Sequence, residues 1–91
     1  MVRLNCFIEV NPGSRDQVIA DALALTEHSR EEKGCIAYDI FASQSRPEVL
    51  MICETWADRD SLDAHASTDV FARYVGNIRA NSKMKTESFE F

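Results

Sequence analysis

The sequence contains little glycine and proline, with three and two residues respectively among 91. This scarcity excludes a flexible linker, a collagen-like repeat and a low-complexity chain. No apolar run reaches the roughly 18–20 residues that a membrane-spanning helix requires. The N-terminal stretch MVRLNCFIEVNPG also lacks the basic region, long apolar stretch and cleavage site of a signal peptide. These absences together predict a cytoplasmic protein.

Positive charge is scarce as well, because ten Lys and Arg residues stand against 15 Asp and Glu residues and leave a formal net charge of −5. A chain of this charge without a basic cluster is a poor binder of nucleic acids and of acidic membranes. Its length suffices for one domain with a modest core. We therefore predict a single domain over residues 1–91, with no nucleic-acid or membrane partner.

Cysteine and histidine are too few and too far apart in sequence for a metal site. Cys6, Cys35 and Cys53 form no CxxC pair, and neither His28 nor His65 lies near a cysteine. We expect reduced, small core cysteines, with a redox or metal role as the less favoured alternative, and a solvated surface position for His28. There is also no P-loop, GxGxxG or GxSxG motif. We predict neither a metal nor an organic cofactor.

Alternation of apolar and polar residues predicts four β-strands, over residues 2–10, 35–42, 48–56 and 84–91. In the second strand this alternation places Ile36 on the same side as Tyr38. The third strand is apolar on both sides, which is typical of a central strand covered twice.

Helical spacing of apolar residues predicts a long helix that begins at Ser14, where Gln17 three residues later completes a capping box. Gly34 is placed to end this helix in a left-handed cap. A short helix with Asp58 as its cap is predicted over residues 59–66.

A further helical piece follows, for which Ser67, Thr68 or Asp69 is the predicted cap. The resulting order, β-α-β-β-α-β, is that of the ferredoxin-like α+β fold, a four-stranded antiparallel sheet with the helices on one face. The other face would expose Phe7 and the two terminal phenylalanines, each at a cost of about 2–3 kcal/mol. We therefore predict a homodimer that packs sheet on sheet.

Two segments carry a family resemblance: EKGCIAYDI at 32–40, and VLMICETWAD at 49–58 with LDAH at 62–65 and VF at 70–71. This pattern, in which a glycine turn enters a strand and a later strand ends in Glu-x-Trp before a histidine, resembles the antibiotic biosynthesis monooxygenase (ABM) domain family. The resemblance implies a dimeric α/β barrel with a substrate cavity between sheet and helices. It also implies one of several activities, namely oxygenation of hydroquinones or polycyclic aromatics without metal or flavin, action on small diketone sugar phosphates, or haem degradation.

His65 is the candidate catalytic base, because histidine is the residue type suited to proton transfer near neutral pH and this one ends a short helix within the matched segment. The alternative is a structural histidine that hydrogen-bonds the loop around Ser67 and Thr68. The resemblance also makes Asn5 a candidate for holding a substrate oxygen. Strand parity, however, places Asn5 on the side of the dimer, in which case Cys6 faces the cavity instead.

Four aromatic residues are candidates for the wall of the substrate cavity: Trp56, Tyr38, Phe71 and Tyr74. Trp56 could stack on a planar substrate, and the tyrosines could donate to an oxygen. Simple core packing is the alternative for all four.

Glu54 shares a strand side with apolar residues and therefore needs a partner. We expect an ion pair across the dimer, for example with Arg3, rather than catalysis.

The favoured hypothesis is a cofactor-independent monooxygenase that acts on a small hydroquinone or polyphenol, with dioxygen as co-substrate. One alternative is an isomerase or degrading enzyme for a small diketone signal metabolite, although no arginines cluster to bind a phosphate. Another is a dimeric module that binds a small aromatic ligand without turnover. Haem degradation is disfavoured, because haem-degrading relatives have a histidine where this chain has Tyr74 and Val75.

Overall fold

The computed structural model describes residues 1–91, and seven regular elements follow one another along them. They are β1 (Val2–Val10), α1 (Arg15–Arg30), β2 (Cys35–Ala42), β3 (Val49–Trp56), α2 (Arg59–Ala66), α3 (Asp69–Ala80) and β4 (Ser82–Glu90). The predicted order and the ferredoxin-like α+β class are confirmed. The second helical region is divided into two helices, and the last strand begins two residues earlier than predicted.

The four strands form one antiparallel sheet in the order β2-β3-β1-β4, so that β1 and β3 are central. Even-numbered residues of β1 and β3 face the helices and form the floor of the core. Ile8 and Leu50, which pair across the two strands, are completely or almost completely buried. The predicted alternation in β1 is confirmed, since its odd-numbered residues face away from the helices.

A bulge at the start of β2 changes the predicted alternation there. Cys35 pairs with Trp56, whereas the next residue of β3, Thr55, pairs with Ala37. The extra residue is Ile36, which is 55% exposed, while Cys35 packs against the core. The prediction that Ile36 lies beside Tyr38 was wrong, because a bulge inserts one residue and reverses the side on which the preceding residues lie.

The start of α1 lacks the predicted capping box. Ser14 precedes the helix but its side chain makes no cap hydrogen bond, and Gln17 donates instead to Asp21 at 3.1 Å. Ser14 has φ −101° and ψ 0°, whereas a capping side chain usually requires extended backbone. Its hydroxyl is therefore not directed at the free N–H groups of the first turn.

The other two helix starts are capped as predicted. The carboxylate of Asp58 accepts a hydrogen bond from the backbone N–H of Ser61 at 2.8 Å. Among the three candidates for α3, the cap is Thr68, whose hydroxyl accepts from the N–H of Phe71 at 3.1 Å.

Gly34 has the left-handed conformation, with φ +82°, but it does not end α1, which already ends at Arg30. It lies in the turn that leads into β2, and its carbonyl accepts from the N–H of Ala57 at 2.8 Å. A Cβ atom on Gly34 would collide with the side chain of Ser61. The glycine therefore allows this turn to lie directly against the start of α2.

The face of the sheet opposite the helices, which we call the open face, carries exposed apolar side chains. Phe7 of β1 is 40% exposed and pairs with Met51 of β3, which in turn pairs with Phe41 of β2, itself 51% exposed. Phe89 and Phe91 are 50% and 62% exposed. The predicted uncovered face is thus present. None of the helices is long and apolar enough to cross a membrane.

Candidate functional site

A cavity of about 120 Å³ lies between the sheet and the helices. Eleven of its fourteen lining residues are hydrophobic, and the polar exceptions are Glu54, Arg79 and Thr86. Three of the predicted site residues, Tyr38, Phe71 and Cys6, also line it. An apolar cavity with a few convergent polar groups is the usual form of a small-molecule site.

Glu54 is the carboxyl group of this cavity, and its position corrects the sequence-based interpretation. It pairs with Leu4 in the sheet and faces the helices, whereas Arg3 pairs with Thr55 and lies on the open face. The expected pair between Glu54 and Arg3 was therefore wrong, since the two side chains leave the sheet on opposite sides. Arg3 donates instead to the hydroxyl of Thr55 at 3.2 Å.

The environment of Glu54 makes its carboxylate more basic than that of an exposed glutamate. The residue is only 6% exposed, and burial raises the pKa of its carboxyl. The indole N–H of Trp56 donates to its Oε1 at 2.9 Å and opposes this rise, but burial is the larger effect. A carboxylate whose pKa is raised by burial is a stronger base, and is therefore better suited to accept a proton from a bound molecule.

His65, near the end of α2, lies directly behind this wall. It is buried, and its Nδ1 is 2.6 Å from Oε1 of Glu32, in the turn after α1. Its Nε2 has no hydrogen-bond partner and is 3.9 Å from Oε1 of Glu54. His65 itself is not a lining residue of the cavity. Glu54, which it approaches, is the carboxyl group in contact with that space.

The alternative for His65, a structural histidine that hydrogen-bonds the loop around Ser67 and Thr68, is met in part, by its backbone and not by its ring. Thr68 does bond this residue, but its hydroxyl donates to the backbone carbonyl of His65 at 3.0 Å, leaving the ring to Glu32. The ring is enclosed by aromatic groups: its centroid is 4.5 Å from that of Trp56, 5.1 Å from that of Phe71 and 5.6 Å from that of Tyr38.

Tyr38 and Cys6 are polar groups on the cavity wall that keep their protons. Burial, reinforced by the charge of Glu54, raises the pKa of Tyr38 well above its ordinary range, so its phenol is a permanent hydrogen-bond donor. Burial likewise raises the pKa of the Cys6 thiol. The three cysteines are free, as expected, but Cys53 lies on the open face beside Asn5 and not in the core.

The remaining predicted residues lie elsewhere. Trp56 is completely buried and belongs to the core, without lining the cavity. Tyr74 lies in an open groove on the outside, where the guanidinium of Arg73 is 5.2 Å from its ring. His28 is exposed in the same groove, as expected.

Asn5 lies on the open face, as its parity indicated. Its amide donates to Glu87 at 3.2 Å, and its carbonyl accepts from the thiol of Cys53 at 3.3 Å. The structure thus does not bring Asn5 together with His65 and Glu54.

Sequence reasoning did not place two polar groups at this site, Arg79 in the cavity wall and Glu32 beside His65. The position of Arg79 could have been predicted from the sequence, because this residue follows Val75 by four positions and Phe71 by eight, the spacing of one helix face. Glu32 had no such signal, because it meets His65 only through the turn at Gly34. No group of three or more His, Cys, Asp or Glu side chains is arranged to hold a metal ion.

Comparison with known proteins gives consistent results. The family model described as "Antibiotic biosynthesis monooxygenase" matches residues 1–77. The chain is 31% identical over 75 residues to the Bacillus subtilis (strain 168) protein "Putative monooxygenase YcnE", a match that covers 82% of this chain and 79% of that protein.

Two solved structures extend the similarity through β4. A Bacteroides thetaiotaomicron VPI-5482 protein of unknown function, described as a "Possible Oxidoreductase", has a TM-score of 0.96 and 50% identity, covering 99% of this chain and 96% of that one. A structure described as an antibiotic biosynthesis monooxygenase has a TM-score of 0.92 and 30% identity, covering 100% and 98%. With the Glu-x-Trp strand, the buried histidine and the cavity in place, these matches show that the chain belongs to the antibiotic biosynthesis monooxygenase family.

Proposed function

We propose that this protein is a cofactor-independent monooxygenase that acts on a small hydroquinone or polyphenol, with dioxygen as co-substrate. The observation that carries the proposal is the buried carboxyl of Glu54 at the wall of an apolar cavity. Such an oxygenation requires a base, donors for the resulting anion and a dry pocket. Glu54, Tyr38 and the apolar lining supply these three requirements.

The size of the cavity favours a substrate with one ring. Its volume is about 120 Å³, and a dry cavity of about 150 Å³ in another protein accommodates benzene. A single-ring hydroquinone, which is slightly larger than benzene, therefore requires a modest widening of the cavity, whereas a polycyclic aromatic or a flavin beside the substrate would require the helices to move. Cofactor independence, as part of this proposal, is supported by the same size argument.

The proposed reaction begins when Glu54 removes a phenolic proton. Tyr38 donates a hydrogen bond to the anion, and Arg79 supplies a positive charge at the cavity wall. The anion passes one electron to dioxygen, the two radicals join at a ring carbon, and a hydroperoxide forms. The O–O bond then breaks, the carbon loses its hydrogen, one oxygen stays as a carbonyl and the other leaves as water. A hydroquinone and dioxygen thus give a hydroxyquinone and water.

A diketone isomerase remains the alternative enzymatic hypothesis, because a carboxylate beside a cavity can also remove a proton next to a carbonyl group. Arg79 is the one arginine that lines the cavity, and a phosphate would call for a basic cluster, which is why we favour the uncharged hydroquinone. A non-catalytic binding module is the other alternative, favoured by the mainly apolar lining. Neither alternative consumes oxygen.

Oxygen uptake with a panel of one-ring and three-ring hydroquinones tests the proposal, after subtraction of the rate without protein. We expect uptake with one-ring substrates, and ¹⁸O₂ should place one labelled oxygen in the product. Uptake without label in the product would indicate a simple oxidase and contradict oxygenation. Binding of a hydroquinone without uptake would favour the binding module.

A homodimer that packs sheet on sheet is part of the proposal. It is supported by the row of Phe41, Met51 and Phe7 on the open face, because exposed apolar patches commonly mark interfaces. Sedimentation should give twice the chain mass of 10.3 kDa. Phe41→Glu should give a folded monomer, whereas Leu23→Glu, at a similarly exposed position on α1, should leave the dimer intact. A wild-type monomer would overturn this part.

We also propose a reducing, cytoplasmic location, which the free thiols support.

A further inference from the structure

His65 is a buried histidine with one of its two ring nitrogens unsatisfied. Nδ1 is 2.6 Å from Glu32, while Nε2 has no partner and lies 3.9 Å from Oε1 of Glu54. Buried polar atoms in native proteins almost always have partners, so an exception requires an explanation. The simplest is that Nε2 is kept free as an acceptor on the side of Glu54.

The hydrogen bond at Nδ1 decides the state of Nε2. An ionised carboxylate only accepts hydrogen bonds, so Nδ1 must carry a proton when it bonds Glu32. In a neutral imidazole the other nitrogen is then unprotonated. Glu32 thus selects the tautomer that has its lone pair directed towards Glu54.

The three side chains also form a line from the cavity to solvent. The side chain of Glu54 is 7% exposed, that of His65 is 1% exposed and that of Glu32 is 18% exposed. The other groups that pack on the ring are Tyr38 from β2, Trp56 from β3 and Phe71 from α3. Apart from Glu54 and Glu32, only the phenol of Tyr38 among these groups is titratable.

Glu32 is held in place by the backbone around it. Its carbonyl accepts from the N–H of Cys35 at 3.2 Å, and the carbonyl of Gly34 accepts from Ala57 at 2.8 Å. Because Gly34 has no Cβ, the turn lies against Ser61 of α2, the helix that carries His65. Glu32 is therefore oriented before any ligand binds.

We propose that Glu32 is a positioning residue, which holds the proton of His65 on Nδ1 so that Nε2 can take over a proton that Glu54 receives in the cavity. The second half of this statement rests on the proposed function. In the transfer, Glu54 gives its proton to Nε2 while Nδ1 gives its own to Glu32. The proton returns by the same route when the hydroperoxide breaks and its outer oxygen leaves as water. No net proton is gained or lost, and the ring does not have to turn over.

Nitrogen-15 NMR of histidine-labelled protein at pH 8, without any ligand, tests the position of the proton. We expect His65 to carry a proton on Nδ1 and none on Nε2. The Nδ1 proton should give the low-field proton signal of a short hydrogen bond. Glu32→Gln should remove the low-field signal. Glu32→Asp should retain the Nδ1 proton, as should Glu31→Gln, which removes an exposed neighbouring carboxylate. A proton on Nε2 of the wild-type protein, or an unchanged signal in Glu32→Gln, would overturn the proposal.

Turnover of a one-ring hydroquinone tests the transfer. Glu32→Gln should lower kcat about 10- to 100-fold, the usual cost of a misplaced catalytic group, with KM almost unchanged. Glu32→Asp should recover part of this loss, and Glu31→Gln should equal wild type. An unchanged kcat in Glu32→Gln would overturn the transfer. If wild-type protein turns over no hydroquinone while the NMR result is as expected, the proposed function fails and the positioning role of Glu32 stands.

Discussion

Each face of the sheet carries a glutamate, and the two carboxyl groups lie in different environments. Glu54 on the helix-covered face is buried beside Trp56 and His65, and burial raises its pKa. Glu87 on the open face is exposed and receives a hydrogen bond from Asn5. Both are glutamates on β-strands of one sheet. Only the side of the strand from which each projects separates a candidate base from a surface carboxylate.

The largest expected effect concerns these two glutamates. Glu54→Gln should lower hydroquinone turnover about 10²–10⁴-fold, the usual contribution of a general base. Gln can still accept the hydrogen bond from Trp56, so that the loss reports the proton and not the fold. Glu87→Gln is the matched change on the open face and should leave the rate within about twofold. Equal losses in the two variants would remove the distinction between the faces.

Neighbouring residues of β1 provide the second test. Ile8→Ala should lower the free energy of unfolding by about 2–5 kcal/mol, because it opens a cavity in the core beneath the helices. Phe7→Ala changes a side chain that is 40% exposed. Sedimentation should show that Phe7→Ala weakens the proposed dimer. The free energy of unfolding of the monomer should change by less than about 1 kcal/mol. Urea denaturation measures the free energy of unfolding of both variants. A larger loss for Phe7→Ala than for Ile8→Ala would reverse the assignment of the core face.

The turn before β2 packs against α2, on the helix-covered face of the sheet. Gly34→Ala combines a positive φ with a collision against Ser61, whereas Gly13→Ala has nearly the same φ, +81°, and open space. Gly34→Ala should therefore destabilise the protein by about 1–3 kcal/mol more than Gly13→Ala does. Thermal unfolding checks the stability. Equal losses would mean that the turn is free to move away from α2, in which case Glu32 would not be fixed.

The smallest expected effect is the pH dependence of stability. Because burial raises the pKa of Glu54 above its ordinary 4.5, the unfolded chain loses this proton first as pH rises. The folded state then loses stability, by about 1.4 kcal/mol for each pH unit between the two pKa values. Glu54→Gln lacks this loss, so its stability relative to wild type should increase between pH 4 and pH 7. A constant difference would show that the carboxyl ionises normally.

Much of the fold could be predicted from local patterns. The alternation in β1, the caps at Asp58 and Thr68, and the order of elements each depend on residues close together in sequence. The bulge at Ile36 could not be predicted, because its insertion is defined by pairing with β3. Ser14 likewise looked like a cap, but its backbone conformation is decided by how the chain leaves β1.

The candidate site shows the same division. The motif from Glu54 to His65 and the aromatic residues around it were evident in the sequence, and with them the family. The roles within the motif depended on depth and distance, which are tertiary quantities. Glu54 contacts the cavity and His65 lies behind it, while Glu32 reaches the ring across 33 positions of sequence. Periodicity tells on which side of a strand a carboxylate projects, but only packing determines whether that side is dry, and hence whether the group can hold a proton.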